Sequence, residues 1–515
     1  RRLAGQDTTL YPGGVQEEET HQGRASTSME TLGRYSGELG PGRLEAVVGL
    51  SYQQQRTSYH RLLASDYPSD ALLSAGTGAT ALPDQQNSFS YRYLTFFQRS
   101  NYNLSRKYSL SAAIRREDIG GPGMAMPAGY FWNAGAAWVF SREAFLADSR
   151  LLSFGKIKVT YGTTGNDPGA GWQDPIGMPP PNARLPWQRN VNEELGLDLG
   201  FLHDRLQLSG MFLRGWSGNQ LLTVTPDNGP VMPLMAVDHS GLVVVDHPGI
   251  KVENRVFEME LSGRRMRLGP LQWSSTLNLT IPRNRLAQWP GLAGSAYSGE
   301  YVAGKSLSVS SAYHYLGVDS RTGLYSFQTK NPDGLPGPGD RVPDAGFDPN
   351  YYAGWNNDFR IGNWQLEFFV LFRSQRGVNP LIALARQNAP GMQAAGQLSN
   401  GPVEWLTHWR KPGDVASQQR LTSGQDAAAL ARLNDYLASD GAVTDASYVR
   451  VKRIVLGWNM PEKKAKKMKM QTCRVFLDGA NLWTITHFPV TDPETQDPRV
   501  LPPMRELSVG VKVGF

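Results

Sequence analysis

Apolar and polar residues alternate strictly at the end of the chain. On one side lie Leu507, Val509, Val511, Val513 and Phe515, and on the other lie Glu506, Ser508, Gly510, Lys512 and Gly514. A period of two is typical of a β-strand with one apolar face. A strand of this length just spans a bilayer when it is tilted, whereas a strand of a soluble protein averages about five or six residues. The pattern therefore predicts a membrane-spanning strand, with an edge strand of a soluble sandwich as the alternative.

The same alternation recurs upstream. It runs through residues 195–201 and 364–372, and residues 130–140 carry aromatic side chains at both ends of one face. Strands that alternate apolar and polar residues and end in aromatic residues are typical of the wall of a transmembrane β-barrel. The sequence therefore predicts an all-β fold, a transmembrane antiparallel β-barrel.

The pattern predicts about fifteen strands, connected alternately by short and long segments. The strands are expected near 28–38, 43–54, 89–102, 107–117, 128–140, 152–163, 187–202, 205–217, 251–263, 271–281, 350–361, 364–376, 446–460, 470–482 and 504–515. The long connections are expected near 55–88, 164–186, 218–250, 282–349, 377–445 and 483–503. Outer-membrane barrels have short periplasmic turns and long extracellular loops. We therefore expect the short turns at 203–204 and 362–363 to lie on the periplasmic side. Phe515, at the membrane-inserted C-terminus, is expected on the same side.

An odd number of strands cannot close an antiparallel barrel, because the first and last strands would run in the same direction. An open sheet edge in lipid costs several kcal/mol for each unpaired backbone group. We therefore expect further strands from an N-terminal part of the same chain or from another polypeptide.

Composition excludes several classes of protein. A single cysteine, Cys473, excludes a disulfide framework and a cysteine zinc cluster, and we expect it on a strand face with Val475 and Leu477. The net charge of +6 is mild for 515 residues, and no nucleic-acid motif accompanies it, so no nucleic-acid partner is expected. No run of 18 apolar residues or signal peptide is visible. Because no catalytic constellation stands out, we expect neither an enzyme nor a cofactor.

Three acidic residues suggest a cation site, and one glycine-rich segment suggests a phosphate-binding loop. The surrounding sequence argues against both. Asp333, Asp340 and Asp344 lie in a Gly/Pro-rich segment, where turn formation is the favoured role and binding of a cation is the weaker alternative. GEYVAGKS at 299–306 matches the phosphate-binding loop pattern, but a β-like, glycine-punctuated sequence surrounds it instead of a strand and a helix. We expect this match to be fortuitous.

Two further segments have a distinctive pattern. EKKAKKMKM at 462–470 is expected to form a solvated turn beside anionic lipid headgroups, with a nucleic-acid tail as the alternative. AAALARLNDYL at 427–437 places Leu430, Leu433 and Leu437 at helical spacing. It predicts a short helix that packs its own loop or docks a partner.

Aromatic side chains near the expected outer ends of the strands are candidates for stacking on sugar rings or peptides. Girdle residues at the membrane interface have the same composition, so both roles stay open for each of them. The candidates are Trp172, Tyr351, Tyr352, Trp355, Trp405, Trp409 and Trp483.

Several stretches, in family order, resemble the SusC-like TonB-dependent outer-membrane transporters of Bacteroidetes. They are KIKVTYGTTGN (156–166), WQRNVNEELGLDLGFLHDRLQLSGMF (187–212), LGVDSRTGLYSF (316–327), PNYYAGWNNDFRIGNWQLEFF (349–369), DASYVRVKRIVLGWNMP (445–461) and RVFLDGANLWTIT (474–486). The resemblance implies a barrel of about 22 strands around a plug, of which residues 28–515 would form strands 8 to 22. Residues 1–27 would be the remnant of an outer loop.

The resemblance also implies a function and partners. It implies import of a large nutrient, an oligosaccharide or a peptide, across the bacterial outer membrane beneath a SusD-like surface lipoprotein. TonB would supply energy through an N-terminal part, and outer-membrane lipid would surround the barrel. NPDGLPGPGD at 331–340 departs from an Asn-Gly-Asp-Gly run that relatives often carry, and RREDIGGPG at 115–123 departs from their Asp-Gly-Ser-Ser-Arg-Phe run. The first departure removes an acidic group from a possible cation site.

Two other functions are open from the sequence. A SusC-like barrel can serve as a structural scaffold in an outer-membrane export or assembly complex, which needs neither a plug nor TonB. A soluble, secreted β-rich enzyme or lectin is the second alternative.

Overall fold

The structure is a computed structural model that describes most residues of the chain. These are residues 17–65, 80–81, 85–121, 124–125, 127–166, 187–218, 220–224, 236–237, 243–247, 249–309, 311–344, 346–387, 390–392, 402–497 and 500–515.

Fifteen long strands form an antiparallel sheet, and each lies where the alternation predicted a strand. They are β1 (Glu17–Leu39), β2 (Gly42–Ser65), β3 (Gln85–Leu104), β4 (Tyr108–Gly121), β5 (Gly129–Trp138), β6 (Leu152–Asn166), β7 (Gln188–Phe201), β8 (Leu206–Gly218), β9 (Lys251–Leu268), β10 (Leu271–Gln288), β11 (Tyr351–Ile361), β12 (Trp364–Ser374), β13 (Tyr448–Asn459), β14 (Thr472–Thr486) and β15 (Glu506–Gly514). The predicted all-β class is confirmed.

Shorter elements lie in the connections. The helices are α1 (Pro380–Gln387), α2 (Ala427–Leu437) and α3 (Glu462–Lys467), and 3-10 turns span Phe140–Arg142, Leu292–Gly294, Ala296–Gly299, Pro338–Asp340, Val403–Thr407 and Asp440–Ala442. Short strands span Thr80–Ala81, Met124–Ala125, Gln220–Val224, Ala236–Val237, Val243–His247, Ser311–Ala312, Tyr315–Val318, Tyr325–Phe327, Val342–Pro343, Arg376–Val378 and Val443–Asp445. None of the described helices has the length and apolar character needed to cross a membrane.

The first of two compact units comprises Arg1–Ala137, Thr160–Glu193 and Trp216–Lys251. Within it β1 pairs antiparallel with β2, from Glu17 opposite Ala64 to Leu39 opposite Gly42. The ladder continues from β2 to β3 and from β3 to β4. Tyr91, Ile119, Phe131 and Trp187 form a buried cluster in this unit.

Strands in this unit run further than the sequence predicted. β1 begins at Glu17 and β2 continues to Ser65, so residues 17–27 and 55–65, expected in loops, are strand. These extensions are rich in Gln, Arg, Ser and Thr, which carry no apolar alternation. The ladder between the two strands holds them instead, and that signal is not local in sequence.

The second unit comprises Trp138–Val159, Glu194–Gly215 and Val252–Phe515. Within it β10 to β15 pair in chain order, each antiparallel to the next. A two-residue turn joins β11 to β12, and Gly362 adopts a φ of 57° there. This left-handed conformation is accessible to glycine at little cost, which explains the residue type at the turn.

Strand register separates this ladder into two faces. The apolar face carries Trp364, Leu366, Phe368, Val370 and Phe372 of β12, with Leu456 and Trp458 of β13, Val475 and Leu477 of β14, and Val509 and Val511 of β15 in line with them. The polar face carries Asp358, Arg360, Gln365, Glu367, Arg453, Arg474 and Asp478. The predicted alternation in β12 and β15 is therefore confirmed. Cys473 is buried on the apolar face opposite Val513, beside Val475 as expected.

The connections after β10 and β12 fold together, and we call their described residues within 311–344 and 379–446 the loop module. Its buried core contains Tyr313, Tyr325, Phe327, Ile382, Ala385, Leu433, Tyr436 and Ala442. The predicted helix at 427–437 is α2, confirmed with the same bounds, and the Asp426 carboxylate caps it by accepting from the Ala429 amide at 3.1 Å.

Two local predictions were wrong. The lysine-rich segment 462–470, predicted as a solvated turn, contains the short helix α3, because Pro461 can start a helix and Glu462 and Lys466 pair at 2.6 Å one turn apart. Phe140, expected at the end of a strand, begins a 3-10 turn after β5 ends at Trp138.

Candidate functional site

The polar face of β11 to β14 carries charged side chains that bond to one another across strands. Arg453 of β13 contacts both carboxylate oxygens of Asp478 on β14, with Nε to Oδ1 at 3.0 Å. Arg474 Nη2 of β14 lies 3.1 Å from Glu367 Oε1 of β12. Alternating charges of this kind present donors and acceptors to a polar ligand or to water, which the apolar face does not.

Register decides which of the adjacent tyrosines at the start of β11 lies on the polar face. Tyr352 pairs with Arg373 and lies on the polar face, whereas Tyr351 pairs with Ser374 on the apolar face. Their exposed fractions are similar, 40% and 44%. Tyr352 is therefore the candidate ligand residue of this pair that the polar face presents.

Trp355 and Trp483 lie on the apolar face. Trp355 pairs with Val370, donates from Nε1 to Ser275 Oγ at 3.0 Å and packs edge-on against Phe368. Trp483 pairs with Val451 and is 58% exposed. Both tryptophans therefore lie on the opposite face from Tyr352, and the choice between a membrane-interface role and stacking on a ligand stays a prediction.

The remaining aromatic candidates belong to the loop module or lie outside the described residues. Trp405 packs against the module core. Trp409 donates from Nε1 to Ser320 O at 2.9 Å and covers Gly323, where an added Cβ would come within 2.3 Å of the indole ring. Both tryptophans therefore have a packing role that the sequence could not distinguish from ligand binding. Trp172 falls in a segment outside the described residues.

Stacked tyrosine rings hold the loop module together. Tyr325 and Tyr436 stack with ring centroids 4.3 Å apart, and Tyr315 meets Tyr436 edge-on at 5.0 Å. The Tyr436 hydroxyl donates to Gly441 O at 2.9 Å. Burial raises the pKa of all three tyrosines, so they are neutral hydrogen-bond donors at any physiological pH. A loop module packed in this way has a defined surface.

The three aspartates proposed as weak cation candidates have other partners. Asp340 accepts from the Gly337 amide at 2.9 Å and from Thr329 Oγ1 at 2.8 Å, and these hydrogen bonds, the amide first, lower its pKa. Asp333 accepts from the Leu335 amide at 2.9 Å, and Asp344 pairs with Arg376 at 2.8 Å. Across the described ranges no three His, Cys, Asp or Glu side chains form a group that could hold a metal ion.

The phosphate-loop match has neither the expected strand nor the expected helix. It follows the 3-10 turn Ala296–Gly299 and precedes the short strand Ser311–Ala312. The Ser306 hydroxyl donates to Asn284 Oδ1 at 3.0 Å and contacts Asp348. The segment is a packed loop.

Sequence reasoning missed a buried arginine that fixes the connection before β15. Arg450 of β13 is only 1% exposed; its guanidinium contacts Asp492 and Glu494, and its Nε donates to Thr484 Oγ1 at 2.9 Å. Burial alone would raise the pKa of Asp492, but hydrogen bonds from Arg450 and the Glu494 amide outweigh it and lower the pKa. The acidic run TDPETQDP was the one feature of the sequence that could have indicated this ion pair. No local pattern, however, connects it with Arg450.

Comparison with known proteins gives sequence relatives and similar structures, while no family model matches the chain. TonB-dependent receptor P3 of Formosa agariphila is 23% identical over 537 residues, covering 95% of this chain and 51% of the relative. TonB-dependent receptor P26 of the same organism is 23% identical over 510 residues, covering 90% of this chain and 49% of the relative. The chain thus spans about half the length of these curated relatives.

The RagAB peptide importer in its 'open-open' state has a similar fold. It matches with a TM-score of 0.77 at 19% identity, covering 97% of this chain and 56% of that chain. The 'closed-closed' state matches with a TM-score of 0.75 at the same identity and coverage. The relatives and the shared fold confirm the resemblance to SusC-like TonB-dependent outer-membrane proteins of Bacteroidetes.

Proposed function

We propose that this chain, whose relatives are TonB-dependent receptors, forms part of the barrel of an outer-membrane importer for a large nutrient. The observation that carries the proposal is the division of one antiparallel ladder into an apolar face and a charged polar face, with a packed loop module in two long connections. Such a sheet fits a wall with lipid on one side and a polar passage on the other. The strands from Glu17 onward would form part of the barrel wall.

Recognition in this proposal is non-covalent, through the polar face and the loops. The nutrient is a peptide or an oligosaccharide, since both offer many hydrogen-bonding groups and flat surfaces for tyrosine. Tyr352 would stack on the ligand, while charged pairs such as Arg453–Asp478 would bond to it. TonB would supply energy through an N-terminal plug, in this chain or in another.

A matched pair of variants tests ligand binding. In protein purified from outer membranes with its native partners, Tyr352→Ala should weaken binding of a labelled peptide or oligosaccharide about tenfold, on the scale of an aromatic contact. Tyr351→Ala removes the same side chain from the opposite face and should leave affinity unchanged. Equal effects of the two substitutions would contradict the assignment of the faces.

The partner of the loop module is proposed to be a SusD-like surface lipoprotein. Val403, Leu406 and Val415 are more than half exposed, and a hydrogen bond of 2.7 Å between the Thr407 and Ser417 hydroxyls joins the segments that carry them. Exposed apolar side chains grouped on a rigid surface are typical of protein interfaces. This patch would seat the lipoprotein above the polar face.

Co-purification tests this partner. Leu406→Asp combined with Val415→Asp should release the lipoprotein from the detergent-extracted complex, because two buried charges would be unpaired at the interface. Leu335→Asp, at another exposed apolar side chain of the same module, is the control and should retain it. Recovery of assembly or secretion machinery in place of a lipoprotein would instead support the scaffold role.

A further inference from the structure

One buried carboxylate receives three arginines from three strands of the second unit. The side chain of Glu253 on β9 has no exposed area. Its Oε1 lies 2.6 Å from Arg214 Nε of β8 and 2.9 Å from Arg255 Nη2 of β9, and its Oε2 contacts Arg285 Nε of β10. We call these four residues the arginine cluster.

The arginine cluster carries excess positive charge. Three guanidinium groups are permanently charged, while Glu253 supplies one negative charge. One arginine would neutralise a buried carboxylate, so neutralisation alone does not require three. The carboxylate is buried, but the Arg255 and Arg285 side chains are 45% and 48% exposed. Glu253 thus fixes two half-exposed guanidinium groups beside each other.

The cluster lies directly beyond apolar residues on the same face of the sheet. Glu253 of β9 contacts Arg214 of β8 and Arg285 of β10, so one cluster joins the three strands. Residues two apart share a face. Arg214 therefore follows the exposed Phe212, and Arg255 precedes the exposed Phe257, always toward the end with the long connections.

We propose that the arginine cluster binds the phosphate headgroup of a membrane lipid whose acyl chains lie along Phe212 and Phe257. Guanidinium groups bind phosphate by paired hydrogen bonds. Phe212 and Phe257, two residues nearer the strand centres on the same face, would contact the acyl chains of the lipid. Basic side chains at a membrane surface each favour anionic lipid by about a factor of five. This inference rests on the proposed function, because it requires the apolar face to meet lipid.

Retention of phosphatidic acid tests the proposal. The protein is purified from outer membranes and exchanged into phosphatidylcholine vesicles that contain phosphatidic acid. Native mass spectrometry of protein ejected from these vesicles then measures which lipid stays bound. The wild type should keep a phosphatidic acid molecule, and Arg255→Gln combined with Arg285→Gln should weaken its binding about thirtyfold, as expected for two lost basic contacts. Arg321→Gln combined with Lys330→Gln, at two exposed side chains of the loop module, removes the same charge outside the strands and should change nothing.

Further measurements distinguish the lipid site from a site for a soluble anion and from a failure to fold. Glycerol phosphate, which lacks acyl chains, should not displace the lipid, and displacement at matched concentration would show a site for a soluble anion. Arg255→Gln combined with Arg285→Gln should keep the native electrophoretic mobility, which shows that the strands still fold without these two guanidinium groups. Phosphatidic acid retention that is equal in the wild type and the Arg255/Arg285 double variant overturns the lipid site. If the wild type fails to enter vesicles at all, the proposed function itself has failed.

Discussion

Replacing Arg450 by glutamine should release the connection before β15 from the sheet. The guanidinium is almost completely buried, and Asp492 beside it is 9% exposed, so the substitution leaves a desolvated carboxylate without its charged partner. Removing one member of a buried ion pair costs about 3–5 kcal/mol. At 1.4 kcal/mol per factor of ten, local opening should become roughly a hundredfold to a few thousandfold more frequent.

Hydrogen exchange of the reconstituted protein measures this opening. The Gln496 amide donates to Asp492 O at 2.9 Å within the released connection, so its exchange should accelerate by the factor above. Adding Asp492→Asn to Arg450→Gln removes the unpaired charge and should restore part of the protection. Lys452→Gln, which removes only an exposed partner of Glu494, should have little effect. Unchanged exchange at Gln496 in Arg450→Gln would refute the reasoning.

Other predictions concern the loop module and pH. Gly323→Ala should destabilise the module more than Gly334→Ala, since both glycines have a positive φ but only Gly323 meets the Trp409 ring; limited proteolysis of the module measures the difference. Tyr436→Ala should cost about 3–5 kcal/mol of module stability, whereas Tyr436→Phe should cost about 1 kcal/mol for its hydrogen bond, as read from hydrogen exchange in α2. Because the pKa of Asp492 is lowered in the folded protein, its stabilisation is full above its ordinary pKa of about 3.9 and is lost as pH falls through the lowered value. Hydrogen exchange of the Gln496 amide, measured at pH 7 and at progressively lower pH, tests this loss of stability. A protection factor that rises on acidification would contradict it.

The strands were predictable because their signal is local. Alternation in 364–372 and 507–515 follows directly from the two faces of a pleated strand, and register confirms both segments. The helix at 427–437 was predictable for the same reason, since leucines at helical spacing follow an aspartate that caps the first turn.

Most of the candidate site was not predictable, because its contacts join residues far apart in sequence. Tyr351 and Tyr352 are adjacent and chemically identical, and only the register with β12 shows which one lies on the polar face. Arg450 and Glu253 gave no motif, since most of their partners lie on other strands or connections. The alternation of apolar and polar residues predicts the composition of each strand face. Which charged side chains come into contact depends on strand register, which is not local in sequence.

The central claim is that one face of the ladder meets lipid and the other meets water. Spin labels at Leu366→Cys and Glu367→Cys, each with Cys473→Ala in protein reconstituted into lipid bilayers, test it through collision with oxygen and with a water-soluble nickel chelate. We expect the label at 366 to collide mainly with oxygen, which concentrates in lipid, and the label at 367 to collide mainly with the chelate. Equal accessibility of both labels to the chelate would contradict the account.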